Sequence, residues 1–297
     1  MADRRSVRAR IVYALEAAGA LLVFAVLRLL PVDWCSNFGG FVTRHLGPHL
    51  GISNRARRNI RNALPELDDA AVEHIVVAMW DNLGRVIAEY PHLDKFRVYE
   101  PGGRIEIVNP EYVRDQGRDG KGTLFFSAHY GNWEVVTMSA THAGLDIVEI
   151  YRPANNPLVD RLINHARSVI GSELVPKGAV AARRAVAALR SGRHIAMLVD
   201  QKMLEGVPVP FFGRAALTAP ALARLALHFK CPVVPVRIIR SRGAHFLIIA
   251  EPPLQYRQSG DSEADTIALM TQVNQVYERW IRERPEQWLW LHNRWLD

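Results

Sequence analysis

Apolar runs and amphipathic stretches alternate along most of this chain, and their order predicts a layered α/β fold. Residues 123–128, 146–151, 194–199 and 232–239 are short apolar runs, as buried strands are. Between them, 132–143, 157–170, 179–190 and 218–229 carry helical spacing, which implies crossover connections and a mixed, mostly parallel sheet flanked by helices. Arg104-Ile105-Glu106-Ile107-Val108 alternates like a half-buried strand. Residues 245–250 read as another strand that could run antiparallel to 232–239, and 262–284 as a last helix. Residues 33–95 read as helical, with Ala70 to Tyr90 amphipathic. Residues 200–217 follow a buried strand and read as a long loop, a kind of segment that often carries function. The expected division is an N-terminal anchoring helix (1–32), a helical subregion (33–95) and an α/β core (96–297).

The N-terminal segment stands apart. Arg4, Arg5, Arg8 and Arg10 precede an apolar stretch from Ile11 to Leu30. Glu16 and Arg28 cut its uncharged part to Ala17–Leu27, short of the ~20 apolar residues of a membrane-spanning helix. No small-residue cleavage site closes it, which argues against a removed signal peptide. A tilted anchor with its basic end in the cytoplasm, a helix in the membrane interface, and a helix packed on the domain all remain open.

Composition narrows the class. Hydrophobic residues make up 49% of the 297, as in a globular protein. The net charge of +7 favours anionic partners: phospholipid surfaces, phosphorylated glycolipids, an acidic carrier protein or nucleic acid. No nucleic-acid motif occurs, and arginines dispersed among apolar helices fit a membrane-facing surface better. Cys35 and Cys231 form no Cys-x-x-Cys and fit packing in a reducing compartment.

The densest chemistry is Ser127-Ala-His129-Tyr-Gly-Asn132-Trp-Glu134. An apolar strand ends there and a helix is expected to begin near Asn132, the kind of junction where open α/β sheets place ligands. His129 and Glu134 form His-x4-Glu, a candidate base with a candidate orienting carboxylate. The spacing alone is weak, since His292…Asp297 also satisfies His-x4-Asp/Glu. On spacing and context, Glu134 could equally complement the helix dipole while His129 is a loop residue.

Three further polar clusters follow predicted strands. Tyr151-Arg152-Pro153 offers Arg152 to a phosphate or carboxylate, or simply to solvent. Asp200-Gln201-Lys202 puts a carboxylate at the same sheet edge as His129. Phe211-Phe212-Gly213 could line an acyl channel or plug the core. The tail Trp288-Leu-Trp290-Leu-His292-Asn-Arg294-Trp295 suits an interface or a cover over the sheet. Gly-x-Ser-x-Gly, Gly-x-Gly-x-x-Gly and His-Glu-x-x-His are absent, and no His/Cys cluster suggests a metal. Gly117 to Thr123 is wrongly spaced for a phosphate loop and reads as a turn.

Taken together, the chain resembles the late acyltransferases of lipid A biosynthesis, the lauroyl/myristoyl transferases within the glycerolipid acyltransferase superfamily. The resemblance rests on the basic N-terminal anchor, Ala128–Glu134, Tyr151–Asp160, Asp200-Gln201, Val209–Gly213, Thr218, Pro232–Val236 and Gln287–His292. It implies catalytic His129 and Glu134, with substrate contacts from Asn132, Arg152, Asp200, Gln201, Phe212 and Gly213. It also implies acyl transfer from acyl carrier protein to a hydroxyl of an anionic lipid A precursor, at the cytoplasmic face of the inner membrane and without metal or dissociable cofactor. Glu16 and Arg28 depart from a membrane-spanning anchor. Rival readings keep the chemistry with a mannolipid, ornithine lipid or lysophospholipid acceptor, or make the protein a hydrolase or a lipid-binding scaffold.

Overall fold

The computed structural model describes residues 2–295. The side chains of Arg4, Arg5 and Arg8, and Asp297 of the second His-x4-acid match, lie outside the described residues. The chain opens with α1 (Ala2–Arg28), α2 (Val32–Leu46), α3 (Ser53–Ala63) and α4 (Asp69–Glu89). Next come β1 (Ile105–Val108), α5 (Glu111–Arg114), β2 (Leu124–Ser127), α6 (Met138–Thr141) and β3 (Ile147–Tyr151). They are followed by α7 (Pro157–Arg167), β4 (Glu173–Pro176), α8 (Ala179–Arg190), β5 (His194–Leu198), β6 (Lys202–Phe211) and β7 (Arg214–Thr218). The chain closes with α9 (Ala221–Phe229), β8 (Val233–Arg242), β9 (His245–Ala250) and α10 (Ser262–Glu283).

Seven strands form one sheet in the order β1-β9-β8-β2-β5-β3-β4. Only the β8–β9 pair is antiparallel, as its short Gly243-containing turn requires; every other neighbour is parallel. All four residues of β2 are buried, which is why a central strand reads as an unbroken apolar run. Its side chains alternate between two cores: Leu124 and Phe126 pack toward α10, α9 and the tail, and Phe125 toward Val136, Met138 and Ile147. The order in which strands are added to the sheet reverses at β2 and β5. The connection after β2 leads outward to β3 on one side, and that after β5 leads to β8 on the other, a switch in strand order of the kind beside which open α/β sheets place ligands.

Two expectations need correction, and one strand was not foreseen. Residues 200–217 are not a long loop: β6 and β7 pair as a separate hairpin, turned by Phe212 (φ +50°) and Gly213 (φ +69°). Two central residues with positive φ make this a turn suited to strand twist; Pro208, Pro210 and an irregularity between Lys202 and Val207 hide the strand period. Residues 132–143 do not form one helix but a 3₁₀ turn (Trp133–Val135) and then α6. The run Val135-Val136-Thr137 is β-branched and poor at sustaining a helix. The short edge strand β4 went unanticipated; it pairs only with β3, which leaves its Pro176 tolerable.

The helical region is closed by an intimate crossing of α2 and α4. A Cβ on Gly84 would lie 2.2 Å from the Gly39 carbonyl oxygen, and one on Gly39 2.3 Å from that of Gly84. Thr43 Oγ1 donates across the same crossing to the Trp80 carbonyl. Gly84→Ala therefore has to push the two helices apart. We expect a loss of about 1–3 kcal/mol of unfolding free energy in urea titration; an unchanged midpoint would show that the crossing yields freely.

Candidate active site

Strands β2 and β5 lie side by side with Phe125 opposite Ala196 and Ser127 opposite Leu198. Carrying that register two residues beyond both carboxyl ends sets His129 opposite Asp200. His129 Nδ1 lies 2.8 Å from Asp200 Oδ1, and the His129 amide donates to Oδ2 at 2.9 Å. Trp288 Nε1 donates to the same Oδ2 at 2.9 Å. Asp200 is completely buried. Burial alone would raise its pKa, but the His129 ring and amide, with His292 nearby, more than offset that and hold it below the usual carboxylate range. An ionised acceptor at Nδ1 places the imidazole proton there and leaves Nε2 as a lone pair.

That lone pair faces the Gln201 side-chain nitrogen at 3.0 Å, which also stands 3.0 Å from His292 Nε2. One amide nitrogen thus bridges two imidazoles whose rings are 4.9 Å apart. His292 is pushed down to about 4, first by burial and then by the charges of His129, Arg152 and Arg55, so near neutral pH it is an uncharged acceptor. Arg152, just beyond β3, is exposed and makes no ion pair among the described residues.

The turn after His129 is fixed from several directions. Gly131 adopts φ +57°, and a Cβ there would sit 2.2 Å from the Ile238 carbonyl oxygen. Its amide donates to Gln287 O at 3.0 Å, while its own carbonyl accepts from Asn82 Nδ2 at 2.9 Å. The Tyr130 amide is taken by Ala128 O and its hydroxyl by Trp280 O. Asn132 is fully buried: it caps the 3₁₀ turn through the Glu134 amide and donates at 2.7 Å to Glu89 Oε2. Glu89, itself buried, also accepts from Ser36 and pairs with Arg240, linking α2, α4 and β8 behind the site. Asn132 is therefore part of this frame, and the substrate contact expected of it has no exposed group to make it.

The expected His129–Glu134 partnership is also not what the chain builds. Glu134 is buried against Arg167 of α7, with contacts of 2.6 and 2.8 Å, and accepts from Trp133 Nε1 at 2.8 Å. Burial would raise its carboxyl, yet Arg167 holds it below the usual range. The 3₁₀ turn carries Glu134 away from the His129 ring nitrogens, which Asp200 and Gln201 occupy. Glu134 touches the site only through Trp133, whose ring lies 5.3 Å from that of His129. Beside it, half-buried Glu149 is pushed up to about 6 by burial and by the Glu134 charge. Phe212 and Gly213 form the hairpin turn, with the Phe212 amide on Glu278 and its ring under Arg282, so they engage α10 and not the histidines. The residue that reaches inward is Phe211, against Trp288 and Trp295.

Sequence reasoning missed two members of the site. His292 entered as a chance spacing match and, with Trp288, as part of the aromatic tail and the Gln287–His292 stretch of the resemblance, with no role at the site given to either. Both are brought in by backbone pairing: Leu289 N–H donates to His129 O, and Tyr130 bridges Trp288.

Glu134→Gln would leave the Arg167 guanidinium buried without its charge partner. We expect about 3–5 kcal/mol of lost stability in chemical unfolding; a loss under ~1 kcal/mol would mean that the pair is solvated.

Residues 4–297 match the model of the family described as bacterial lipid A biosynthesis acyltransferase. The chain is 26% identical to the lipid A biosynthesis lauroyltransferase of Escherichia coli K12 over 252 residues, covering 80% of this chain and 76% of that one. It is 25% identical to the lipid A biosynthesis myristoyltransferase of the same organism, over 82% of this chain and 75% of that one. It is 23% identical to a lipid A biosynthesis acyltransferase of Haemophilus influenzae, over 80% and 73%. The protein belongs to the bacterial lipid A biosynthesis acyltransferase family.

Proposed function

We propose that this protein transfers a fatty acyl chain from acyl carrier protein to a hydroxyl of a lipid A precursor, with His129 as general base and Asp200 as its orienting carboxylate. The observation that carries this reading is an imidazole whose Nδ1–H is fixed by a buried carboxylate while Nε2 is left as an acceptor at the carboxyl edge of the sheet. The acceptor hydroxyl displaces the Gln201 amide from Nε2. Its oxygen attacks the thioester carbonyl carbon as Nε2 takes its proton. The tetrahedral oxyanion then collapses, breaking the carbon–sulfur bond, and the departing thiolate recovers the proton from the imidazolium. A thioester is activated already, so no covalent enzyme intermediate is needed.

The amides of Tyr130 and Gly131 are internally bonded and so are not the oxyanion donors. Glu134 acts as a positioning residue, fixing Trp133 against the His129 ring. Arg152, exposed just beyond β3, is the residue taken to meet a phosphate of the acceptor, and the net positive charge suits both an acidic carrier and an anionic lipid. The protein works at the cytoplasmic face of the inner membrane, where such a donor and acceptor meet.

The test is mass spectrometry of products from purified protein, acyl carrier protein loaded with chains of several lengths, and a Kdo-bearing tetra-acylated precursor. One added acyl chain is expected; free fatty acid alone would indicate a hydrolase, and gain only on another lipid would change the acceptor. His129→Ala and Asp200→Asn should each cut turnover by about 10²–10⁴-fold while the protein stays folded. Asp200→Asn retaining more than about a tenth of the activity would remove Asp200 from the mechanism. Transfer should also slow between ~50 and ~500 mM salt as screening weakens encounter with both anionic partners; a rate indifferent to salt would count against that steering.

A further inference from the structure

The two charges that interrupt the N-terminal apolar segment both have partners in the catalytic domain. Asn156, the N-cap of α7, donates at 2.9 Å to Glu16 Oε2 and at 2.9 Å to the Tyr13 carbonyl. Arg28 makes a two-pronged contact with Asp94 and donates at 2.7 Å to Pro91 O. Between these points Tyr13, Ala17, Ala20, Phe24 and Leu27 are the less exposed positions. Their spacing of four, three, four and three is that of one helix face laid against a neighbour. Phe24 stands 6.3 Å from Tyr90. The opposite face, Ile11, Leu15, Leu22, Val26 and Leu29, is exposed, and so are Leu21 and Val23 on its flanks.

We propose that α1 does not cross a bilayer but lies along its surface, and that α1 and the exposed aromatic face of α2 together hold the protein in one leaflet of an anionic phospholipid membrane. The proposal rests on the membrane association advanced above and goes beyond it in fixing the topology and naming a second contact. By length and composition, Ala9–Arg28 could span a membrane. The docking forbids it: Glu16 and Arg28 are twelve residues, about 18 Å, apart along the helix, a large part of the ~30 Å hydrocarbon core. An upright α1 would sink the domain beside it, including Asn156 and Asp94, into hydrocarbon. A helix that is apolar on every side and covered along one narrow stripe needs an apolar medium on the rest.

The chain supplies a second surface directly after α1. Trp34, Phe38 and Phe41, at i, i+4 and i+7 of α2, share one face and are 68%, 61% and 52% exposed. Leu29 and Leu30 join this face to α1. Arg44 lies over the Phe41 ring at 5.2 Å, and Arg10 is exposed on α1. Aromatic rings with flanking cations match the headgroup boundary of an anionic leaflet.

Topology is tested on the full-length protein in right-side-out and inverted membrane vesicles with an impermeant maleimide. Cys35 and Cys231 are buried, so single exposed cysteines report. Ala9→Cys and Glu263→Cys should label from the same side; labelling from opposite sides would overturn the proposal. Trp34→Ser/Phe38→Ser/Phe41→Ser should lower partitioning onto phosphatidylethanolamine–phosphatidylglycerol vesicles by at least about tenfold, with fold checked by circular dichroism. Unchanged partitioning of a folded variant would remove α2 from the contact, and if that variant does not fold the labelling result still decides the topology. Wild-type protein that fails to float with such vesicles would overturn membrane association itself and leave the acyl-transfer reading standing.

Discussion

Asp200 has no exposure to solvent, and the carboxyl edge of the sheet is organised around supplying donors to it. An isolated carboxylate buried in this way would take up a proton. Here the His129 ring, the His129 amide and the Trp288 indole converge on its two oxygens. Each donor depends on a different part of the chain: β2 must run parallel to β5 in one register, and the C-terminal segment must fold back so that Trp288 and Leu289 pair beside His129. Tyr277 and Tyr130 tie α10 to this edge by donating to Ser127 O and Trp280 O. The site is a product of tertiary closure, assembled from residues near 129, 200 and 290.

That origin explains what was legible in the chain and what was not. The α/β class was readable because central strands are buried on both faces and show it as continuous apolar runs. His129 stood out because strand end, glycine turn and Asn cap are local features. The partner of His129 was not local: choosing Asp200 over Glu134 requires strand order and register, which periodicity does not encode. Glu134 satisfied a spacing rule, yet its charge is matched by Arg167, thirty-three residues further on. The β6–β7 hairpin was hidden by its prolines, and His292 by the lack of any local pattern pointing back to residue 129.

The N-terminal helix shows the same lesson from the other side. Glu16 and Arg28 read as flaws in a membrane span because their partners, Asn156 and Asp94, lie far along the chain. In the fold they are the fastening points that give the helix a protein-facing side. The same Asn156 begins α7, whose last turn provides Arg167 to Glu134. One short helix thereby joins the N-terminal helix to the frame of the turn after His129.

With His129 as the base proposed above, the Gln201 bridge carries a kinetic consequence. While its amide lies between His129 and His292, the base is capped by the protein's own hydrogen bond. A large acceptor, gripped elsewhere on the surface, brings binding energy with which to displace that amide. A single water molecule brings almost none. In the proposed reaction an acyl thioester arriving alone would meet a base that is already occupied, so the bridge would act as a selectivity filter favouring esterification over wasteful cleavage of the donor.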